Sequence, residues 1–120
     1  MKVVIAGSRS ITDKYYKQLL TAIEYSKFEI TEVVSGCAIG VDKMGEKYAR
    51  CNDISVKQMP ADWNKYGKSA GPIRNKQMAD YTDAAIILWD GKSAGTSNMI
   101  SNMTKLNKPL YLYRIELDNA

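Results

Sequence analysis

The stretch Gly91-Lys92-Ser93-Ala94-Gly95-Thr96-Ser97-Asn98 brings two glycines and three hydroxyl side chains between the apolar run Ala84-Ala85-Ile86-Ile87-Leu88-Trp89-Asp90 and a run with helical spacing, Thr96, Met99, Ile100, Met103. A small-residue loop that leads from a strand into a helix aims backbone N–H groups at one point, which suits a phosphate or another anion. Gly91 and Gly95 let the backbone come close, and Ser93, Thr96 and Ser97 add hydroxyl donors. The same residues also make a plain strand-to-helix turn with a Ser/Thr cap, so the decision rests on the other stretches. Gly7-Ser8-Arg9 reads as a tight turn with Arg9 as a charged clamp, or as a surface turn with a solvated arginine. Ser35-Gly36 followed by Gly40-Val41-Asp42 reads as a relaxed phosphate loop, with Asp42 either accepting from a ribose or serving the helix dipole. Asp62-Trp63 offers an acceptor and an indole that either stacks on a base or docks on the protein's own edge. Arg74-Asn75 sits in the first turn of a helix, where a cation opposes the dipole and therefore suggests a second purpose. Asp90 ends its strand ready to bond loop N–H groups or a ligand hydroxyl.

The chain has no histidine. That removes the commonest metal ligand and the commonest general base near neutrality, and with them a zinc site, a Ser-His-Asp triad and a Cys-His pair. Cys37 and Cys51 stand fourteen positions apart, and both read as reduced structural thiols. No resident metal or cofactor is expected, and no pair of carboxylates suggests a glycosidase-like acid/base couple. The net charge of +4 favours anionic partners, although the lysines read as spread along the chain rather than gathered in a dense stripe. No apolar run reaches the length of a membrane span, and Met1 to Gly7 is too short in its apolar part for a signal peptide, so a cytoplasmic protein is expected.

The elements that must position these residues follow from apolar runs and turn residues. Val3-Val4-Ile5, Thr31–Ser35, Ser55–Met59, Ala84–Trp89 and Pro109–Tyr113 read as strands. Four helices alternate with them. The first is capped by Thr12 or Asp13, with an inward stripe of Tyr16, Leu19, Leu20 and Ile23; the third starts at Pro72 and runs to about Tyr81, with Met78 and Tyr81 inward. Residues 61–71 read as irregular, and the tail to Ala120 as fraying. Strand and helix alternating four times before a closing strand means a single α/β domain over residues 1–120. This is a Rossmann-like three-layer fold with a five-stranded, mainly parallel sheet and helices on both faces. Ligands collect at the carboxyl edge of such a sheet, and all four unusual loops follow strands, so they are expected to meet there.

Taken together, Gly7-Ser8-Arg9, Val34–Asp42, Pro60-Ala61-Asp62-Trp63, Gly71-Pro72-Ile73-Arg74-Asn75 with Met78, and Asp90–Thr96 resemble the YspA-like branch of the SLOG superfamily, the group that includes DprA and the LOG phosphoribohydrolases. The resemblance runs from Lys2 to about Tyr113. It departs at Cys37, which stands where the family pattern has the second glycine of Gly-Gly-Ala. It implies a Rossmann-like sheet that binds a nucleotide or a nucleotide-derived ligand such as an NAD derivative or an ADP-ribose-like molecule. It also raises LOG-type cleavage of a nucleoside monophosphate. Gly95-Thr96 and Arg74 match that motif, but Met99 occupies the position of its glutamate and cannot act as acid or base. The expectation is a sensor or sequestering protein that binds its ligand without turnover. A LOG-like phosphoribohydrolase using Asp42 or Asp90 is one alternative, and single-stranded DNA binding as in DprA, through Trp63, Tyr66, Lys65, Lys68 and Lys76, is another. A homo-oligomer is also expected, because the faces carrying Met44, Met78, Met99 and Met103 offer more apolar surface than one small core needs.

Overall fold

The computed structural model describes residues 1–117; the expectation that the tail to Ala120 frays falls outside them. Five strands, β1 (Lys2–Gly7), β2 (Glu32–Ser35), β3 (Ser55–Gln58), β4 (Ala84–Trp89) and β5 (Leu110–Arg114), form one sheet in the order β3-β2-β1-β4-β5. Every pairing is parallel, with Val3 opposite both Val33 and Ala84. Parallel strands need helical crossovers that cover both faces, which is why the central strands read as unbroken apolar runs. Ala84 to Leu88 are all fully buried.

The five principal helices are α1 (Tyr16–Ser26), α2 (Val41–Cys51), the single-turn α3 (Trp63–Tyr66), α4 (Ala70–Tyr81) and α5 (Ala94–Lys105). The period-2 pleat divides each strand between two cores. Val3, Ile5, Val33, Ile86 and Leu88 pack with Leu19, Ala22 and Met44 of α1 and α2. Val4, Ala6, Val34, Ala85 and Ile87 pack with Met78, Met99 and Met103 of α4 and α5. Burying each of these large side chains stabilises the fold by about 1.5–3 kcal/mol.

Several local expectations are corrected. All four methionines offered as surplus surface lie in these cores, none more than 3% exposed, so they supply no surface for self-association. Neither Thr12 nor Asp13 caps α1: residues Asp13–Tyr15 form a 3₁₀ turn, and Asp13 turns outward to Lys47 at 3.3 Å. Leu20 is exposed and Tyr81 only half-buried, its hydroxyl donating to Glu32. Residues 61–71 are not irregular. Asp62 caps α3 by accepting from the Lys65 amide at 3.1 Å, a 3₁₀ turn follows at Gly67–Ser69, and α4 starts at Ala70, two residues before Pro72.

Strands β1 and β4 neighbour each other at the centre of the sheet, and the chain builds outward from them in opposite directions. Such a reversal leaves a crevice beyond the carboxyl ends of the two strands.

Candidate functional site

A cavity of about 580 Å³ opens in that crevice. All four loops expected to converge contribute to its wall: Gly7 and Arg9 after β1, Ala38 and Asp42 after β2, Trp63 with Gly71 and Pro72 after β3, and Asp90 with Ser93 to Thr96 after β4. Ser10, Arg74, Asn75 and Asn98 complete the wall, and Ala6, Met78 and Met99 form an apolar part of it. The size is in the range of pockets that hold small organic ligands.

Because α4 starts at Ala70 rather than Pro72, Arg74 stands in its second turn and not, as expected, in the first, so the opposing helix dipole no longer bears on it; it projects toward Gly36. Its Nε donates to Asn75 Oδ1 at 3.1 Å, and its Nη1 donates to the Gly36 carbonyl oxygen. A Cβ on Gly36 would lie 2.6 Å from Arg74 Nη1 and 2.8 Å from Asp42 Oδ2, so any larger residue there forces the guanidinium or the carboxylate to move. Asp42, 4% exposed, accepts from the Ala38 amide at 3.2 Å. Burial pushes its carboxyl up to about 6, with the Ala38 amide and the Arg74 guanidinium holding it back from rising further. Burial likewise lowers Arg74 from its ordinary value, with Asp42 opposing and Arg9 contributing as a second cation nearby.

The loop after β4 is held by Asp90. Its Oδ1 accepts from the amides of Lys92 (2.8 Å) and Ser93 (2.9 Å), and its Oδ2 accepts from Ser10 Oγ at 2.8 Å. Desolvation opposes ionisation of Asp90, but these donors together with Ser8 outweigh it and bring the carboxyl down to about 2. Asp90 is thus a loop fastener, and the amides of Lys92 and Ser93 are committed to it. The free donors are one step further on. Ser93 is the N-cap of α5 and makes no side-chain cap bond, and the Ser97 amide already donates to the Ser93 carbonyl. Ala94, Gly95 and Thr96 therefore present first-turn amides, which a helix does not satisfy internally. Asn75 ties this helix start to α4, its Nδ2 donating to the Gly95 carbonyl at 3.1 Å and to Asn98 Oδ1 at 3.0 Å.

Of the residues singled out in the sequence, Gly7, Arg9, Asp42, Trp63, Arg74, Asn75, Asp90, Ser93, Gly95 and Thr96 line the cavity. The others support it or stand aside. Ser8 is 1% exposed, and its hydroxyl accepts from the Asp90 amide at 3.1 Å, joining two loops. Ser35 is fully buried and donates to Glu46 Oε2 at 2.6 Å. Gly36 seats Arg74, Gly91 packs against the Arg114 guanidinium, and Gly40 rests on the backbone of Ser8 and Arg9. Asp62 caps α3 and borders a separate small hollow beside Lys65 and Tyr66, while the exposed Ser97 is absent from the cavity wall.

Trp63 is half exposed, with its ring edge 3.4 Å from where a Cβ on Gly71 would stand, so one part of the indole docks on the protein and the rest is open. Sequence reasoning passed over Ser10, Asn98 and Glu46. Glu46 follows Asp42 by one helical turn and is 2% exposed; the Asp42–Glu46 spacing on the face turned to the strand ends is the signal that marks it. Desolvation works against its ionisation, but Ser35, Lys43 and Gln58 prevail and lower its carboxyl below the ordinary value. Cys37, at the position of the family's second glycine, has φ 66°, the left-handed conformation that glycine adopts freely.

No curated protein sequence matches the chain. Among solved structures, DNA processing protein A (DprA) from Streptococcus pneumoniae superposes with a TM-score of 0.73 at 18% identity, over 98% of this chain and 51% of that one. The chain thus spans about half the length of DprA, and at that identity the likeness is one of fold. Residues 1–66 match the YspA, cpYpsA-related SLOG family, and with more than half of its length matched the chain belongs to that family.

Proposed function

We propose that the central cavity binds a phosphate-bearing, nucleotide-derived ligand of the NAD or ADP-ribose type, and that the protein senses or sequesters this ligand without turning it over. The observation that carries the reading is the convergence of two guanidinium groups, Arg9 and Arg74, with the open first turn of α5 on one cavity of about 580 Å³. Arginine matches phosphate with paired, charge-assisted hydrogen bonds, and first-turn amides add a fixed positive potential. Asp42 is the wall carboxylate with accepting capacity left for ribose hydroxyls. Trp63, half exposed at the rim, offers a face for a base. The wall near α5 is apolar at Met78 and Met99, and no carboxylate stands where LOG-type hydrolysis needs one. That is the ground for binding without turnover.

Native mass spectrometry of freshly purified protein, followed by denaturation and identification of what is released, tests the proposal. Calorimetric titration with ADP-ribose, NAD and adenosine monophosphate follows. The expected result is a released or titrating nucleotide that is recovered unchanged, and a loss of affinity of about tenfold or more in Arg74→Ala, the size of one charge-assisted contact. Release of a free base or ribose phosphate would replace the reading with hydrolysis. An empty protein that ignores all three ligands would overturn it.

A further inference from the structure

A second hollow, of about 500 Å³, lies on the other side of Gly40. The backbone of Gly40 sits directly on that of Ser8 and Arg9: a Cβ there would stand 2.8 Å from the Ser8 carbonyl oxygen and 3.0 Å from Arg9 Cα. The two loops therefore touch there, and Arg9 lines both hollows. The floor of the second hollow is α2. Lys43, Lys47 and Arg50 fall at positions i, i+4 and i+7 of that helix and form one stripe about 10 Å long. The structure thus joins this stripe to Arg9, which lies far from it in the sequence.

The stripe is not neutralised. Glu46 lies 3.5 Å from Lys43 Nζ and 3.6 Å from Arg50 Nη1, and Asp13 lies 3.3 Å from Lys47 Nζ. With Arg9, which has no ion-pair partner among the described residues, four cations face two carboxylates. The pairs to Glu46 and Asp13 support the helix locally, and they leave two positive charges in excess around the hollow. Glu46 is clamped from below by Ser35 and Gln58 and holds Lys43 and Arg50 at 3.5–3.6 Å, long contacts that engage few of the N–H groups the two cations carry. Their side chains are 51% and 66% exposed. A stripe of this length exceeds what one phosphate can cover.

We propose that this hollow is a second phosphate subsite, joined to the central cavity across Arg9, and that the ligand carries two phosphate groups separated by a nucleoside unit. A nucleoside 3′,5′-bisphosphate and a 5′-phosphorylated dinucleotide share that chemistry. The proposal rests on a nucleotide occupying the central cavity, and the test separates the two. The full chain and its Lys43→Gln/Lys47→Gln/Arg50→Gln variant, checked for equal melting temperature, are titrated with adenosine 5′-monophosphate, adenosine 3′,5′-bisphosphate and the dinucleotide pApA. The wild type is expected to bind the bisphosphate, the dinucleotide or both about tenfold more tightly than the monophosphate, with the gain shrinking as salt rises. The variant is expected to bind the monophosphate as the wild type does and to lose the gain. Which of the two ligands shows it identifies the source of the second phosphate. Equal affinity for all three in the wild type, or a gain that survives the triple substitution, overturns the subsite and leaves the central site standing. If no nucleotide binds, the central reading fails, and titration with inorganic tripolyphosphate decides the hollow on its own: amide shifts over residues 43–50 that vanish in the variant uphold a phosphate site there, and their absence overturns it.

Discussion

Replacing Asp42 by asparagine should make the protein more stable at pH 7.5 and change it little at pH 4. Asp42 is 4% exposed, and burial raises its carboxyl from 3.8 to about 6. A displacement of that size corresponds to about 3 kcal/mol between the two protonation states. Its sign follows from linkage: the folded chain holds this proton more tightly than the unfolded chain does. The contribution of Asp42 to stability is therefore complete below about pH 4 and is lost as the pH rises through 6. At pH 7.5 the wild type carries the full cost of a buried charge. An asparagine side chain would keep an acceptor for the Ala38 amide and carry no charge, so Asp42→Asn should gain about 2–3 kcal/mol at pH 7.5. Urea unfolding of both proteins at half-unit steps from pH 4 to 8 measures the difference directly. Asp90 and Glu46, whose carboxyls are lowered, act with the opposite sign, their stabilisation disappearing as the pH falls below the ordinary carboxylate range. Asp90 is present in both proteins and cancels in the difference, whereas the repulsion between Glu46 and Asp42 is part of the shift that the substitution removes. Parallel stability curves, or a variant less stable at pH 7.5, would refute the reasoning.

Gly36→Ala would place a methyl 2.6 Å from Arg74 Nη1 and 2.8 Å from Asp42 Oδ2; the guanidinium must move, so ligand affinity should fall with that of Arg74→Ala in calorimetry, with about 1–3 kcal/mol lost from stability. Cys37→Gly removes a side chain from a left-handed position at φ 66° and should stabilise the fold by about 1 kcal/mol, visible as a rise of a few degrees in the thermal midpoint. Trp63→Ala, at a half-exposed site, should change stability by less than about 1 kcal/mol while weakening a base-bearing ligand by about 1–3 kcal/mol in the same titration.

Much of the architecture is legible because a doubly covered parallel sheet imposes an unmistakable pattern: Val3-Val4-Ile5 and Ala84–Leu88 are apolar without alternation, and the loops rich in small residues all follow strands. The convergence of Arg9, Asp42, Arg74 and Thr96 follows from that topology alone. What sequence does not reveal is the local competition for hydrogen bonds. Asp90 has the type and place of a ligand acceptor, yet it is filled by Lys92, Ser93 and Ser10, and Asp62 spends itself on the Lys65 amide. A four-residue helix such as α3 is too short to show periodicity, and its cap is its only trace. The methionines mislead in the other direction. Their flexible thioethers fill both cores, so a surplus on paper becomes packing in three dimensions. Lys43, Lys47 and Arg50 have helical spacing in plain view, but their joining with Arg9 depends on two loops touching at Gly40.

Asn75 has a wider consequence. By accepting from Arg74 while donating to Gly95 and Asn98, it couples the cationic side of the cavity to the amide side through a single carboxamide that is 7% exposed. The two halves of the cavity wall cannot drift apart independently, so the ligand proposed above meets a receptor already assembled, and little ordering entropy is lost on binding. On the proposed reading, a receptor this rigid discriminates by shape: within the central cavity it favours one phosphate position, and it cannot relax to accommodate an anion displaced by an ångström.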